Sequence, residues 1–369
     1  MDKSTRYLAL DVMRGMTIAL MITVNNPGSW SYIYAPLSHA AWHGCTPTDL
    51  VFPFFLFVVG VSMFFSFSKY QSTLNRESLM RIGKRTLLIF AIGLFLNSFP
   101  QWKTDWSHFR IMGVMQRIAL VYGIGSILVL ALSRKALMGA ASGILLLYWA
   151  ILYWGGGDDP YSLTGSAAYA FDRLIIPDAH LYKGFGEAFD PEGLLSTLPA
   201  IVTALLGYLA AGVIQGEAKT KVPGKLLMWG ALGVVVGWGW SYLLPLNKSL
   251  WSSSYVVYTG GLATICLAIL IYLIDVKSYK KWTSFFVVFG MNPLFIFAFA
   301  GVWGRFLSVL IRIPVGEGKT IGANTWLYQN VFVPMAGNLN GSLLYALANI
   351  AFFWLIGWVL YKRKIFIKV

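Results

Sequence analysis

Charge is what this sequence has least of, and acidic charge least of all: Asp and Glu together number 15 in 369 residues, and the four charged types make up 12%. Soluble domains carry about twice that fraction of charge, so a chain folded as two or three water-soluble domains is excluded. Cysteine is nearly absent. Cys45 falls in an expected loop and Cys266 inside an apolar run; two distant thiols make no disulfide framework, and neither has a metal-binding spacing. A cleavable leader is not expected either. The first apolar run, starting near Tyr7, has no small-residue cleavage site behind a short hydrophobic stretch and contains Asp11 and Arg14, so it should persist as a helix.

What is abundant is apolar surface, 57% of residues, with aromatics at 16%. The net charge of +14 sits in short clusters between apolar runs. Such clusters mark the loops of a positive-inside membrane protein, not a nucleic-acid surface. The expected partner is the lipid bilayer, with no nucleic acid.

About twenty apolar residues cross a hydrocarbon core of about 30 Å. Ten such runs are visible, at 7–25, 48–68, 82–98, 111–132, 136–154, 193–214, 226–244, 254–275, 284–304 and 342–361. The expected fold is therefore all-α and polytopic, one transmembrane domain over 1–369. With the N-terminus cytoplasmic, that side collects Lys3 and Arg6, the cluster from Lys69 to Arg85, Arg134 and Lys135, Lys219 to Lys225, Lys277 to Lys281, and Lys362 to Lys368. The other side holds the scattered remainder, Lys103, Arg110, Arg173, Lys183, Lys248, Arg305, Arg312 and Lys319. That bias predicts both termini inside. The long connections, 26–47, 155–192 and 305–341, then lie outside, where loops of such length are usually functional. Segment 323–337 is a weak apolar run expected to be re-entrant or interfacial. No internal repeat is visible, so the signature of many secondary transporters is missing.

All four histidines, His39, His43, His108 and His180, fall in the outer loops, and imidazole is the side chain best matched to proton transfer near neutral pH. The connection from Asn25 to Asp49 gathers Asn25, Asn26, His39, His43 and Asp49 around Trp30 and Trp42. Asp49 follows Thr46, Pro47 and Thr48 at the start of the second run. An acid at a helix N-terminus either caps the helix or orients an imidazole, and the spacing alone leaves both open. His39 and His43, four apart, lack the further ligands of a zinc motif, and no metal is expected.

Within the runs, Asp11 and Arg14 are three apart and can pair in one turn, which leaves a register-setting salt bridge as one reading of them. Arg117, after Gln116, interrupts the fourth run with no obvious partner within a turn; intramembrane charges normally face a bundle interior or a wet cavity. The segment YKGFGEAFDPEGLL places Glu187, Asp190 and Glu192 before the sixth run, with Tyr182 and Phe185 nearby. These suit a cationic or polyhydroxylated substrate, although Asp190-Pro-Glu-Gly is equally a helix start. Asn247, Trp251 and Asn292 are polar anchors at membrane ends, and Pro293 implies a kink.

LDVMRG (Leu10–Gly15), VNN (Val24–Asn26), SHAAWHGCTPTDLVFPFFLFVVG (Ser38–Gly60), RIMGVMQR (Arg110–Arg117), FDPEGLLSTLPAI (Phe189–Ile201), NKSLWSSSYV (Asn247–Val256), FGMNPL (Phe289–Leu294) and the final YKRKIF resemble, in order and over essentially the whole chain, the heparan-α-glucosaminide N-acetyltransferase family. The resemblance implies transfer of acetyl from cytoplasmic acetyl-CoA, as co-substrate, to the amine of a terminal glucosamine or related amino sugar across the membrane. It implies that His39 is the catalytic histidine, with Asn25 and Asp49 beside it. Set beside the lysosomal members of that family, the chain is expected to be without their lumenal N-terminal domain and to have a longer interval between Asn25 and His39, differences that bear on the acceptor more than on the chemistry.

On that reading His39 is the base, or the nucleophile of an acetyl-imidazole; Asn25 donates to the oxyanion or positions substrate, and Asp49 fixes the imidazole tautomer. Arg14 and Arg117 are expected along the CoA route, and Asp190, Glu192, Asn247 and Trp251 at the sugar. The expected location is a bacterial inner membrane, with a homodimer left open. The alternatives are an amino-sugar transporter, a membrane O-acyltransferase and a non-catalytic scaffold.

Overall fold

Away from water, an apolar run satisfies its own peptide groups by coiling, because a helix keeps every backbone hydrogen bond within the segment. The computed structural model describes residues 7–69, 73–316 and 318–367. Lys3, Arg6 and Lys368 of the charge pattern lie outside these, as does the side chain of Lys69. Its helices are α1 (Leu8–Asn25), α2 (Val51–Lys69), α3 (Arg76–Ser98), α4 (Val114–Ala131), α5 (Arg134–Gly155), α6 (Ala167–Ile175), α7 (Thr197–Gly216), α8 (Val222–Trp240), α9 (Ser253–Leu270), α10 (Thr283–Met291), α11 (Pro293–Arg305), α12 (Ala323–Leu327) and α13 (Val333–Lys362).

Every run expected from the sequence is helical, nine of them along one helix each and the run at 284–304 as two, α10 and α11. Among the described residues, 9 helical stretches are long and apolar enough to cross a membrane, and the run at 82–98 is the difference from ten. It lies within α3, whose first turns carry Arg76, Glu77, Arg81, Lys84 and Arg85, so only its second half is continuously apolar. The kink expected at Pro293 is a full break: Asn292 leaves helical geometry at φ −132°, ψ 50° between α10 and α11. Its amide holds the C-terminal residues, donating to Ile365 O at 3.0 Å and accepting from Ile367 N at 2.7 Å.

Segment 323–337 does not lengthen the last span. At Gly337 the chain adopts φ 75°, ψ −179°, a conformation that favours glycine. The Phe332 and Tyr345 rings then pack at 5.5 Å, whereas thirteen residues of straight helix would separate them by roughly 20 Å. The Tyr328 hydroxyl donates to Asn338 O at 3.0 Å, closing the fold-back. A short antiparallel hairpin, β1 (Arg312–Pro314) with β2 (Thr320–Gly322), precedes it.

The core is built on α7, 67% buried, with α5 and α8 at 28% and the stretch that begins with α11 at 17% toward the outside. Helices have no hydrophobic drive to associate in lipid and pack by close backbone contact at small residues. Between α2 and α7 a Cβ on Gly60 would lie 1.7 Å from Ala204 O, and one on Gly207 1.9 Å from Phe57 O. This contact fixes the middle of α2, about two to three turns below the Asp49 turn, against α7.

Candidate active site

Thr46-Pro47-Thr48-Asp49 forms a tight 3-10 turn that feeds into α2. Thr46 caps that turn and Asp49, three residues on, reaches back with its carboxylate, Oδ2 accepting from Thr46 N, Thr46 Oγ1 and Ala40 N, each at 3.0 Å. Its other oxygen, Oδ1, lies 2.6 Å from His39 Nδ1. The two readings of Asp49 left open by the sequence therefore hold together, one oxygen for each. The side chain of Asp49 is 1% exposed and that of His39 44%. A carboxylate on Nδ1 makes that nitrogen the donor of a neutral imidazole and leaves the Nε2 lone pair for the cavity.

His39 opens on a cavity of about 380 Å³ lined among others by Asn25, Trp42, Asp49, Phe52, Arg110, Tyr182, Phe185, Glu192 and Lys248. Its size suits a small polar ligand. Lys248 Nζ approaches both imidazole nitrogens, at 3.1 and 3.2 Å, and lies 3.9 Å from Asp49 Oδ1. With Nδ1 given to Asp49, Nε2 is the nitrogen that can accept from this ammonium, and an incoming amine takes its place there. Burial pushes the pKa of Lys248 down, with Glu192 and Asp49 opposing. Cys45 lies in the same loop, its Sγ donating to Thr46 O at 3.8 Å. Burial, reinforced by Asp49 and opposed by Lys248, pushes this thiol up to about 12, so it is protonated and a poor nucleophile at neutral pH.

On the facing wall Arg110 grips Asp190 through Nε at 2.8 Å and Nη2 at 2.6 Å, and Glu192 at 2.7 Å, with its guanidinium over the Tyr182 ring at 4.7 Å. This arrangement separates residues that the sequence grouped. Glu192, Tyr182 and Phe185 line the cavity, whereas Asp190 stands behind Arg110, its side chain 0% exposed.

Asn247 and Trp251, expected at the sugar, lie one layer behind the cavity. Asn247 Oδ1 accepts from Leu250 N at 2.8 Å, its backbone N–H donates to Ser252 Oγ, and its Nδ2 is 3.4 Å from His43 Nδ1. That turn projects Lys248. Trp251 donates to Thr203 Oγ1 at 3.1 Å and packs edge-on against Phe52, a cavity residue. Tyr255, against Trp251, donates to Asp49 O at 2.5 Å. The pair thus supports Phe52, Asp49 and Lys248 from below.

Arg14 and Arg117, expected along the CoA route, do not line this cavity. Arg14 joins three helices, donating to Asp11 at 3.4 Å, Gly290 O at 3.3 Å and Ser62 Oγ at 2.8 Å, as the salt-bridge reading of this pair has it. Arg117 is fully buried beneath the site, bonded to Gly193 O at 3.1 Å and to Ser196 Oγ, and lies over Trp251 at 5.1 Å. The partner missing from its own helix comes from the start of α7. Of the other histidines, His108 pairs with Asp105 at 2.7 Å and His180 with Phe109 O at 2.7 Å.

Lys248 and Arg110 are the residues whose importance the sequence did not convey. Each is among the few basic residues of its loop side, and Arg110 is the cation that the acidic segment 187–192 required.

An all-helical polytopic membrane bundle with a carboxylate-bound histidine at a polar cavity is the class that this geometry defines. The family described as heparan-α-glucosaminide N-acetyltransferase, catalytic, matches residues 6–223, and the chain belongs to that family. The human protein named heparan-α-glucosaminide N-acetyltransferase is similar at 28% identity over 99% of this chain and 60% of its own length. The mouse protein of that name is similar at 29%, over 100% and 61% respectively. The chain thus spans about three fifths of these relatives.

Proposed function

We propose that this protein is a multi-pass inner-membrane enzyme that transfers acetyl from cytoplasmic acetyl-CoA to the amine of a terminal glucosamine or related amino sugar on the opposite side. The observation that carries this reading is the His39–Asp49 contact at 2.6 Å on the wall of a polar cavity, within a chain of this family.

The amino sugar enters the cavity between Tyr182 and Phe185, with Glu192 beside its amine. The amine nitrogen attacks the thioester carbonyl; as the N–C bond forms, its proton passes to His39 Nε2, and Asp49 stabilises the imidazolium. Asn25 and the Lys248 ammonium face the developing oxyanion. Collapse breaks the C–S bond, and His39 returns the proton to the departing CoA thiolate. Attack is direct within a ternary complex, so initial velocities should intersect rather than run parallel.

The nucleotide of CoA is too charged for lipid and stays toward the basic, cytoplasmic face of a bundle with both termini inside. Arg14 lies in the half of α1 nearer that face; with Arg117 it holds the helices between which the pantetheine arm passes. Asn247 and Trp251 act by positioning Lys248 and Phe52.

Sided vesicles test the whole reading. Acetyl-CoA supplied to the cytoplasmic face should produce N-acetylglucosamine, as an amide, from glucosamine on the other face. Movement of unmodified glucosamine without acetyl-CoA, or an ester product, would contradict it.

A further inference from the structure

A cavity of about 270 Å³ opens among α5, α7, α8 and α9 and shares no residue with the His39 cavity. Its floor is α7 and α9, through the buried Ala210, Gly260, Gly261 and Thr264. Its walls are the first turns of α5 and α8, where Met138 and Trp229 are 52% and 53% exposed. Apart from Arg134 and the indole of Trp229 at its rim, the lining is apolar, and its one hydroxyl, on Thr264, is spent on Gly260 O at 2.7 Å. A dry slot with an exposed lip suits a hydrocarbon chain, not a sugar or a nucleotide.

One end of this slot is charged. Because α4 leaves the His39 cavity at Val114 and ends at Ala131, α5 starts at the opposite end of the bundle. Arg134, the first residue of α5, lies over α7 there, its Cζ 3.9 Å from where a Cβ on Gly212 would stand. Among the described residues it makes no hydrogen bond and no ion pair. The start of α5 and the turn from α7 to α8, residues 132–139 and 215–226, hold five bases, Arg134, Lys135, Lys219, Lys221 and Lys225, against one acid, Glu217. That acid is taken by Lys225. Excess positive charge at the mouth of an apolar slot complements a molecule that is anionic at one end and hydrocarbon along the rest.

We propose that this slot binds an acyl chain of an anionic phospholipid, drawn from the leaflet at the basic end of the bundle, with the lipid phosphate on Arg134. The chain fills the gap between α5 and α8 and holds both against α7 and α9. Those two helices carry groups beneath the candidate active site: Tyr255 of α9 donates to Asp49 O, and Thr203 of α7 accepts from Trp251. The lipid thus braces the scaffold of the site from its far end. This needs only a bundle that crosses a bilayer and stands apart from the acetyl-transfer reading. A second copy of the chain is disfavoured as occupant, because in a two-fold dimer the patch would face its own excess of positive charge.

The test is native mass spectrometry of the full chain released from nanodiscs of equal phosphatidylglycerol and phosphatidylcholine. Wild type should retain phosphatidylglycerol over phosphatidylcholine by about tenfold, the worth of a charge-assisted pair, and Arg134→Gln should erase that preference. Arg134→Lys should keep part of it. Met138→Trp, at an exposed position, should close the slot and lose both lipids. In detergent, phosphatidylglycerol should raise the melting temperature of wild type more than phosphatidylcholine or inorganic phosphate does. An equal rise with inorganic phosphate makes this a site for free anions and overturns the proposal. Equal retention of the two lipids by wild type, an unchanged preference in Arg134→Gln, lipid retained by Met138→Trp, or a lipid-free dimer that Met138→Trp breaks would each overturn it as well.

Discussion

Asp49 serves two partners because a carboxylate has two oxygens, and this division decides what its replacement should do. An amide in its place can still accept from Thr46 at one atom but must donate with the other, so His39 Nδ1 would face an N–H and the imidazole would turn to the wrong tautomer. Asp49→Asn should therefore lower kcat by about 10²–10⁴-fold, the usual range for general-base catalysis, with KM little changed. Lys248 offers a test by pH. Its charge is needed as donor and its pKa is depressed by burial, with Glu192 and Asp49 opposing, so activity should decline as pH rises through a value below the ordinary 10.5. Lys248→Arg cannot lose its proton in that range, and its alkaline limb should shift upward or vanish. Cys45, pushed up to about 12 by burial and Asp49 against Lys248, should resist maleimide at pH 7.5, and Cys45→Ala should keep most of the activity; a thiol-borne acyl intermediate would require the opposite. His39 and Asp49 were legible because ten residues of one loop hold both. Lys248 was not, since it reaches the imidazole from 209 positions away, and no local pattern records so distant a contact.

At the scale of elements, the contact between α2 and α7 bears most directly on the site. Gly60 and Gly207 let two backbones approach to where a Cβ would overlap a carbonyl oxygen, at 1.7 and 1.9 Å. Leucine at position 60 must force them apart, which costs upward of about 1–3 kcal/mol and moves the Asp49 turn with the helix. Gly60→Leu should lower the melting temperature and abolish activity together, whereas Leu at Gly139, where an added Cβ meets nothing within 4 Å, should do neither. Hydropathy located the helices because apolar length is all that crossing requires. It could not show that 323–337 folds back at Gly337, which depends on one φ angle, nor that α3 would continue into its charged turns to meet water.

Over the whole molecule, charge and chemistry are drawn to opposite ends. The His39 cavity and the long connections share the end of α1 at Asn25, while the basic clusters read from the sequence lie toward the other. Charges within the helices such as Arg14 and Arg117 tie helices together between them, and their removal should destabilise the bundle without regard to substrate: Arg117→Ala, by taking the donor from Gly193 O and Ser196 Oγ and the cation from the Trp251 ring, should cost about 1–3 kcal/mol. Such a protein would lose folded yield before it lost affinity for acetyl-CoA, and a selective rise in KM for CoA would instead return Arg117 to the donor site.

The central claim is that His39 takes the proton of an amino sugar as acetyl leaves CoA. It is tested most directly by mass-spectrometric assay of purified protein given acetyl-CoA and glucosamine. Wild type should form the amide, and His39→Ala, folded and with an unchanged melting temperature, should lose at least about 10²-fold in rate. Normal acetylation by the His39→Ala protein would contradict the account.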